Sequence, residues 1–266
     1  MALLDGKKGL VFGIANERSL GWAIAQACAD QGASVGITYA NERLARRAEP
    51  LGASIQAPIC MPCNVQSTDE VEAVFEAVRA KMGQIDFLIH SVAFANREDL
   101  LGNFSHTSLD GFRTALEVSC YSLVDVVNRG RDVLSDSASI VTLSYLGSQR
   151  CIENYNIMGV AKAALESSVR YLAAELGPDG IRVNTLSAGP VKTLAAAGIP
   201  GFKRRLKKSA QQTALKRNIT AKEVGDASVF LCSELSSGVT GTCLYVDAGA
   251  HFMGLSEPTQ STENSE

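Results

Sequence analysis

The stretch GLVFGIANERSLGWAIAQACADQGASVGITY, residues 9–39, decides the fold. A short apolar run at 9–12 breaks at Gly13, helical periodicity takes over at 20–31, and a second apolar, β-rich run follows at 34–39. Outward from it the same alternation continues. The pattern predicts a helix at 41–51, a strand at 59–63 and a strand at 87–91. Between those strands, Val71, Val74, Phe75 and Val78 recur at three- and four-residue steps, which makes 68–82 helical.

The second half repeats the scheme. A loop through 102–108 leads to a long helix at 110–134, then a strand at 139–143. A helix at 154–176 is closed by Gly177-Pro178, a strong stop signal. Strands at 181–186 and 242–246 and a helix at 223–231 complete the reading. Strands that are apolar throughout, alternating with helices, imply a parallel sheet covered on both faces. The expected fold class is α/β: a single-domain Rossmann-type doubly wound sheet over 1–255, followed by a polar tail at 256–266.

Composition sets bounds on function. The 266 residues, 46% hydrophobic and 20% charged, can bury a full core. Lys plus Arg number 25 against 28 Asp plus Glu, a net charge of −3, which argues against a general nucleic-acid binder. No run reaches the ~18 apolar residues of a membrane span. The start, MALLDGKKGLVFG, has no leading basic region or cleavage site, so a cytoplasmic location is expected. Seven cysteines are an odd number in a chain too large to need staples, and reduced thiols fit them. Cys60-Met-Pro-Cys63 is the one C-x-x-C; without a second pair or nearby histidines it suggests no metal, and leaves a redox sensor as a rival reading.

Nucleotide chemistry is suggested at the strand ends. Gly13 permits a tight turn after the first strand, and Gly21 allows close approach at the start of the next helix, whose N-terminus favours an anion. Ser19 can add a hydroxyl there. Asn64 and Val65 follow the third strand and Ser91, Val92 and Ala93 the fourth, at carboxyl ends where ligands of doubly wound sheets bind. Asn64 could meet an adenine edge. Neither Ala40 nor Asn41 is basic, and Glu42 would repel a 2′-phosphate, so NADH is favoured over NADPH despite Arg43.

Acid–base chemistry is suggested further on. Tyr155 and Lys162 are seven residues apart, about two helical turns, and so share a face. A phenol, with a free pKa of ~10, needs help to act near neutral pH, and a neighbouring ammonium supplies it. Tyr145 sits at a strand end within reach of the same pocket. Half-buried tyrosines and a solvent-facing lysine would explain either pair alone.

In order along the chain stand Gly13-x5-Ser19-x-Gly21, His90-Ser91, Tyr145-x9-Tyr155-x6-Lys162, Ser187-Ala188-Gly189-Pro190-Val191-Lys192-Thr193-Leu194-Ala195 and Asp247-x-Gly249. Together they resemble a bacterial NADH-dependent enoyl-acyl-carrier-protein reductase of the short-chain dehydrogenase/reductase superfamily. The most diagnostic element is the six-residue gap between Tyr155 and Lys162, where common short-chain alcohol dehydrogenases have three; their lysine position is Gly159 here.

The resemblance implies reduction of a trans-2-enoyl thioester in fatty-acid elongation. It makes Tyr155 the donor to the thioester oxygen, gives Lys162 the nicotinamide ribose, and lines the acyl pocket with Tyr145. It places Gly13, Ser19, Leu20, Ala40, Asn64 and Val65 on the adenosine and phosphates, with Val92, Val191, Thr193 and Ala195 nearer the nicotinamide. Ala95, Met158 and Phe202 join the two tyrosines around substrate, beneath a covering segment at 191–217. Asn64, Ala40 and Ala93 depart from the family's more frequent aspartate, longer polar residue and glycine. The basic run Lys203-Arg204-Arg205-Leu206-Lys207-Lys208 would steer the acidic acyl carrier protein, with Lys203 and Arg204 at the contact, or would serve as a solvated helix face. A homotetramer is the family expectation.

Overall fold

A computed structural model describes residues 2–193 and 202–254 of the chain. The opening stretch forms β1 (Lys8–Phe12), α1 (Leu20–Asp30) and β2 (Ser34–Tyr39). Then come α2 (Glu42–Ser54), β3 (Cys60–Pro62), α3 (Thr68–Lys81) and β4 (Ile85–His90). The second half contains α4 (Leu109–Leu116), α5 (Ser122–Arg129), β5 (Leu134–Ser144), α6 (Asn156–Leu176) and β6 (Arg182–Ala188). Among the described residues α7 (Phe202–Gln212), α8 (Ala221–Cys232) and β7 (Cys243–Val246) follow.

The strands form one parallel sheet in the order β3-β2-β1-β4-β5-β6-β7. The chain winds outward from β1 to β3, then crosses to β4 on the other side of β1. That reversal opens a crevice at the carboxyl ends of β1 and β4. Side chains along β1 alternate between two cores. Leu10 and Phe12 join α3, α5 and α6 through Val74, Val126 and Leu165, while Val11 joins α1, α2 and α8 through Ile24, Ala48 and Val224. Burial on both faces is why the strands read as continuously apolar, and each fully covered Leu, Ile or Phe contributes about 1.5–3 kcal/mol.

The turn after β1 has the geometry its glycine implies. Gly13 has φ +92, and a Cβ there would lie 2.2 Å from the Ser91 carbonyl oxygen at the end of β4. Only glycine allows the β1 and β4 termini to close together in this way.

One expectation changes. The long helix at 110–134 is interrupted by a π turn (Glu117–Tyr121), and α5 stops at Arg129. Gly130 ends it where a Cβ would strike the Phe75 ring at 2.4 Å, and a short 3-10 turn carries Val133 and Leu134 into the core. Their apolar spacing imitated a further helical turn, whereas Leu134 already begins β5. The basic run, which the sequence leaves as a carrier-protein contact or a solvated helix face, falls within α7.

The cysteine pair bears on the rival redox reading. Cys63 is buried with α3, whereas Cys60 packs on the opposite face of the sheet, against Gly52 of α2. Burial pushes the Cys60 thiol up and the Cys63 thiol up to about 12, the reverse of what a reactive thiol needs. A dithiol sensor at these positions is therefore unsupported.

Candidate active site

The residues read as nucleotide contacts gather at one edge. Gly13, Ala40, Asn64, Val65 and Val92 all follow the carboxyl ends of β1 to β4, and Val191 and Thr193 lie just beyond β6. Parallel strands bring this about, since every strand ends on the same side of the sheet. Asn16 is buried and accepts from Arg18 N at 2.8 Å, shaping the turn into α1. The Ser19 hydroxyl donates to Asn16 O at 2.7 Å, so it braces this turn rather than standing ready as a donor. Leu20, half-buried, opens α1, whose first turn carries no acidic residue. Asn64 Oδ1 accepts from Gln66 N at 3.1 Å, which leaves Nδ2 as its donor toward a base. Ala195 lies outside the described residues, as does the stretch 194–201 of the expected covering segment.

The chemical residues converge from β5 and α6. Tyr145 follows the last residue of β5, and Tyr155 is the N-cap of α6 rather than a residue inside it. Asn154 and Asn156, with φ 57 and 33, turn the backbone on either side of Tyr155 out of helical geometry. The two tyrosine rings meet edge-on, 5.0 Å between centroids and 72° between planes. Gly147 lies against both. A Cβ on it would stand 2.4 Å from Tyr155 Cδ1 and 3.3 Å from Tyr145 Cδ1. The loop thus needs a residue without a side chain exactly where two aromatic rings press on it.

Lys162 is buried in α6, one helical face inward, and its Nζ donates to the Leu143 carbonyl of β5 at 2.7 Å. Burial lowers its pKa to about 8, opposed in part by the negative charge of Glu166 one turn on. An ammonium so placed is charged at neutral pH yet close to titration. His90, at the end of β4, is a structural residue. Its Nε2 lies 2.8 Å from Ser122 Oγ, whose own proton goes to Val118 O at 2.7 Å, so Nε2 carries the hydrogen. Nδ1 then accepts from Thr142 Oγ1 at 2.9 Å. Burial, with the Lys162 charge, holds the His90 pKa down to about 3, and the ring stays neutral.

The π turn that interrupted the long helix also serves the site. Ser119 Oγ accepts from Phe94 N at 2.9 Å, holding the loop that carries Ala95, and lies 3.7 Å from the sulfur of buried Met158. Met158 is thereby fixed beneath that loop. Tyr145 lines a cavity of about 640 Å³ with Pro190, Ser209, Phe252 and Met253, while Tyr155 borders a second of about 480 Å³ with Phe104, Ile152 and Val160. The turn at 146–152 separates the two. The backbone of Phe202 begins α7, and its side chain, like those of Lys203 and Arg204, lies outside what is described.

Sequence reading missed Ser119, Ser122 and Glu166. Each is a polar residue within helical periodicity, which reads as an unremarkable solvent position until the packing shows it buried. Among the described residues no group of His, Cys, Asp and Glu is arranged to hold a metal ion, and no helix is long and apolar enough to cross a membrane.

Comparison with known proteins follows the same outline. A family model described as Enoyl-(Acyl carrier protein) reductase matches residues 13–251. The chain is 47% identical over 262 residues to the enoyl-[acyl-carrier-protein] reductase [NADH] FabI of Nostoc sp., covering 96% of this chain and 100% of that one. It is 45% identical to enoyl-[acyl-carrier-protein] reductase [NADH] 1 of Rhizobium meliloti, over 95% and 93% of the two chains. Among solved structures, the Bacillus cereus enoyl-acyl carrier protein reductase with NADP+ and indole naphthyridinone superposes with a TM-score of 0.93 at 45% identity, covering 96% of this chain and 100% of that one. The Anaplasma phagocytophilum reductase in complex with NAD does so at 0.92 and 41% identity, covering 96% and 98%.

Proposed function

The chain belongs to the enoyl-(acyl carrier protein) reductase family, and from that membership we propose how its own residues serve the reaction. It is an NADH-dependent oxidoreductase that reduces the trans-2 double bond of enoyl-acyl-carrier-protein thioesters in fatty-acid biosynthesis.

The residues present fit the dinucleotide. Gly13 turns the chain where the β1 and β4 termini close together, α1 begins there with an N-terminus free of acidic residues in its first turn, and exposed Ala40 follows β2. Gly13, Ser19, Leu20, Ala40, Asn64, Val65 and Val92 would hold it, with Val191, Thr193 and Ala195 toward the reactive end. When bound, NADH supplies the hydride that reduces the β-carbon, leaving negative charge on the thioester oxygen.

Tyr155 donates a hydrogen bond to that oxygen and lowers the barrier where charge develops. Lys162 contributes positive charge beneath the tyrosines and holds ribose hydroxyls. Tyr145 backs the Tyr155 ring and walls the acyl pocket with Ala95, Met158 and Phe202. The observation that carries this reading is the edge-on Tyr145–Tyr155 pair at the start of α6, the helix that two turns on buries Lys162 with its Nζ donating to the Leu143 carbonyl. The ketone or alcohol dehydrogenase alternative needs a lysine at 159, where a Cβ would already lie 2.7 Å from Gly147 O.

The domain is one unit over 1–255, with 191–217 covering the substrate and 256–266 a tail. Lys203 and Arg204 on α7 meet the carrier protein, a reading supported by Lys208 of the same helix, which lines the Tyr145 cavity. The enzyme works as a cytoplasmic homotetramer. Loss of NADH absorbance with a crotonyl thioester, a β-ketoacyl control and a Tyr155→Phe variant tests the reaction. Turnover of the enoyl substrate alone, about 100-fold lower in the variant, is expected. Turnover of the ketoacyl substrate instead overturns the reading.

A further inference from the structure

Glu166 lies in the middle of α6 and is 92% buried, yet the chemistry above gives it no part. Its Oε1 accepts from Ser144 Oγ at 2.5 Å and from Ser148 Oγ at 2.6 Å. Those serines bracket the segment that carries Tyr145 and Gly147. Ser144 is the last residue of β5, and Ser148 closes the short 3-10 turn Leu146–Ser148. One carboxylate oxygen therefore staples both ends of this five-residue segment onto the helix that carries Lys162.

The staple matters because of what the segment touches. Gly147 is in van der Waals contact with the Tyr155 ring, and its carbonyl is pressed against Gly159 of α6. A shift of the segment moves Tyr145 directly and removes the backing of Tyr155. We propose that Glu166 is a positioning residue for enoyl reduction, fixing the Tyr145–Tyr155 pair by stapling Ser144 and Ser148 and keeping negative charge one turn from Lys162. The proposal rests on the reading of Tyr155 and Lys162 given above.

A buried carboxylate held by two hydroxyls is a costly arrangement that plain packing could replace with an apolar side chain. What an apolar residue could not do is act on Lys162. Burial depresses that lysine to about 8, and Cys120 and then Glu166 oppose the depression. Other groups near the pair are fixed in role. His90 of β4 is neutral, Cys120 lies in the π turn, and Arg170 donates to the Glu166 main-chain oxygen at 3.0 Å. From β7, Cys243 and Tyr245 feel the Glu166 charge, and burial raises both of their pKa values.

Three variants divide the staple from the charge. Glu166→Gln keeps an oxygen for the serines and loses the charge. Ser144→Ala with Ser148→Ala keeps the charge and loses the staple, and Tyr155→Phe controls for the underlying reading. The double serine variant should lose roughly ten- to a hundredfold in kcat with NADH affinity kept, while the alkaline limb of its pH profile stays in place. Glu166→Gln should move that limb to lower pH. An unmoved limb in Glu166→Gln, or losses in kcat matched throughout by equal losses of NADH affinity and thermal stability, overturns the proposal. Wild-type turnover in Tyr155→Phe would instead sink the tyrosine reading and the proposal with it, whereas an impaired Tyr155→Phe beside unimpaired Glu166 and serine variants sinks the proposal alone.

Discussion

Gly159 faces the carbonyl of Gly147 so closely that a Cβ at 159 would stand 2.7 Å from its oxygen. This contact joins α6 to the turn behind Tyr145 and Tyr155. Elsewhere in a helix, replacing glycine by alanine would gain about 1 kcal/mol. Here the added methyl meets backbone, and the turn must move. Gly159→Ala is expected to destabilise the fold by about 1–2 kcal/mol in denaturant titration and to lower kcat more than NADH affinity. A stabilised, fully active variant would show that the turn yields freely.

Lys162 should cost the fold stability that it returns as activity. Burial lowers its pKa from the ordinary lysine value to about 8. The unfolded lysine keeps its proton to about pH 10.4, so between about 8 and 10.4 the unfolded state binds more protons, and stability from this site rises with pH. Below pH 8 the full cost is present: about 3 kcal/mol from the shift, less about 1 kcal/mol for the bond to Leu143 O. Lys162→Met is therefore expected to be inactive yet about 2 kcal/mol more stable at pH 7, with the gain shrinking toward pH 10. Denaturant midpoints at the two pH values decide it; a variant less stable at pH 7 contradicts the argument.

The fold was legible because its signals are local. The apolar runs at 9–12 and 34–39 and the periodicity of Val71, Val74, Phe75 and Val78 lie within single elements, and those elements formed where the pattern placed them. Spacing put Tyr155 and Lys162 on one helix, and the structure has Tyr155 at the N-cap of α6 with Lys162 buried within it. What spacing could not supply was depth. Ser119 and Ser122 look like solvent residues on a helix, and nothing short of the π turn shows that they secure Phe94 and His90. Glu166 follows Lys162 by one turn, an ordinary exposed ion-pair spacing. Its partners Ser144 and Ser148 come from another element, so only the packed structure brings the three together. The end of α5 was misplaced for the converse reason: Val133 and Leu134 kept helical spacing while Gly130, pressed on Phe75, ended the helix.

His90 sets an acid limit on stability. Buried and neutral, with its pKa held down to about 3, it refuses a proton that the unfolded chain accepts near pH 6.5. Stability from this site is present above pH 6.5 and is lost as pH falls from there toward 3. His90→Gln should remove one proton's worth of that dependence, about 1.4 kcal/mol per pH unit. The comparison is of slopes between pH 6 and 4, so a general weakening of the variant does not obscure it. Parallel slopes would mean that the buried ring is not the proton-linked group.

Cofactor choice should turn on the residues after β2. Ala40 is exposed, Asn41 caps α2 and Glu42 opens its first turn, so neither residue directly after β2 is a cation for a 2′-phosphate and one carboxylate is set against it, with Arg43 the nearest basic residue in sequence. Ala40→Arg supplies a bidentate phosphate partner, and charge-assisted hydrogen bonds of that kind contribute about 1.5–3 kcal/mol. The ratio of kcat/KM for NADPH to that for NADH is expected to rise at least tenfold, with kcat for NADH little changed because the substitution lies far from Tyr155. Adding Glu42→Gln should raise the ratio again, since it removes the repelling charge. No change in either variant would place the adenosine end of the cofactor away from the β2 terminus.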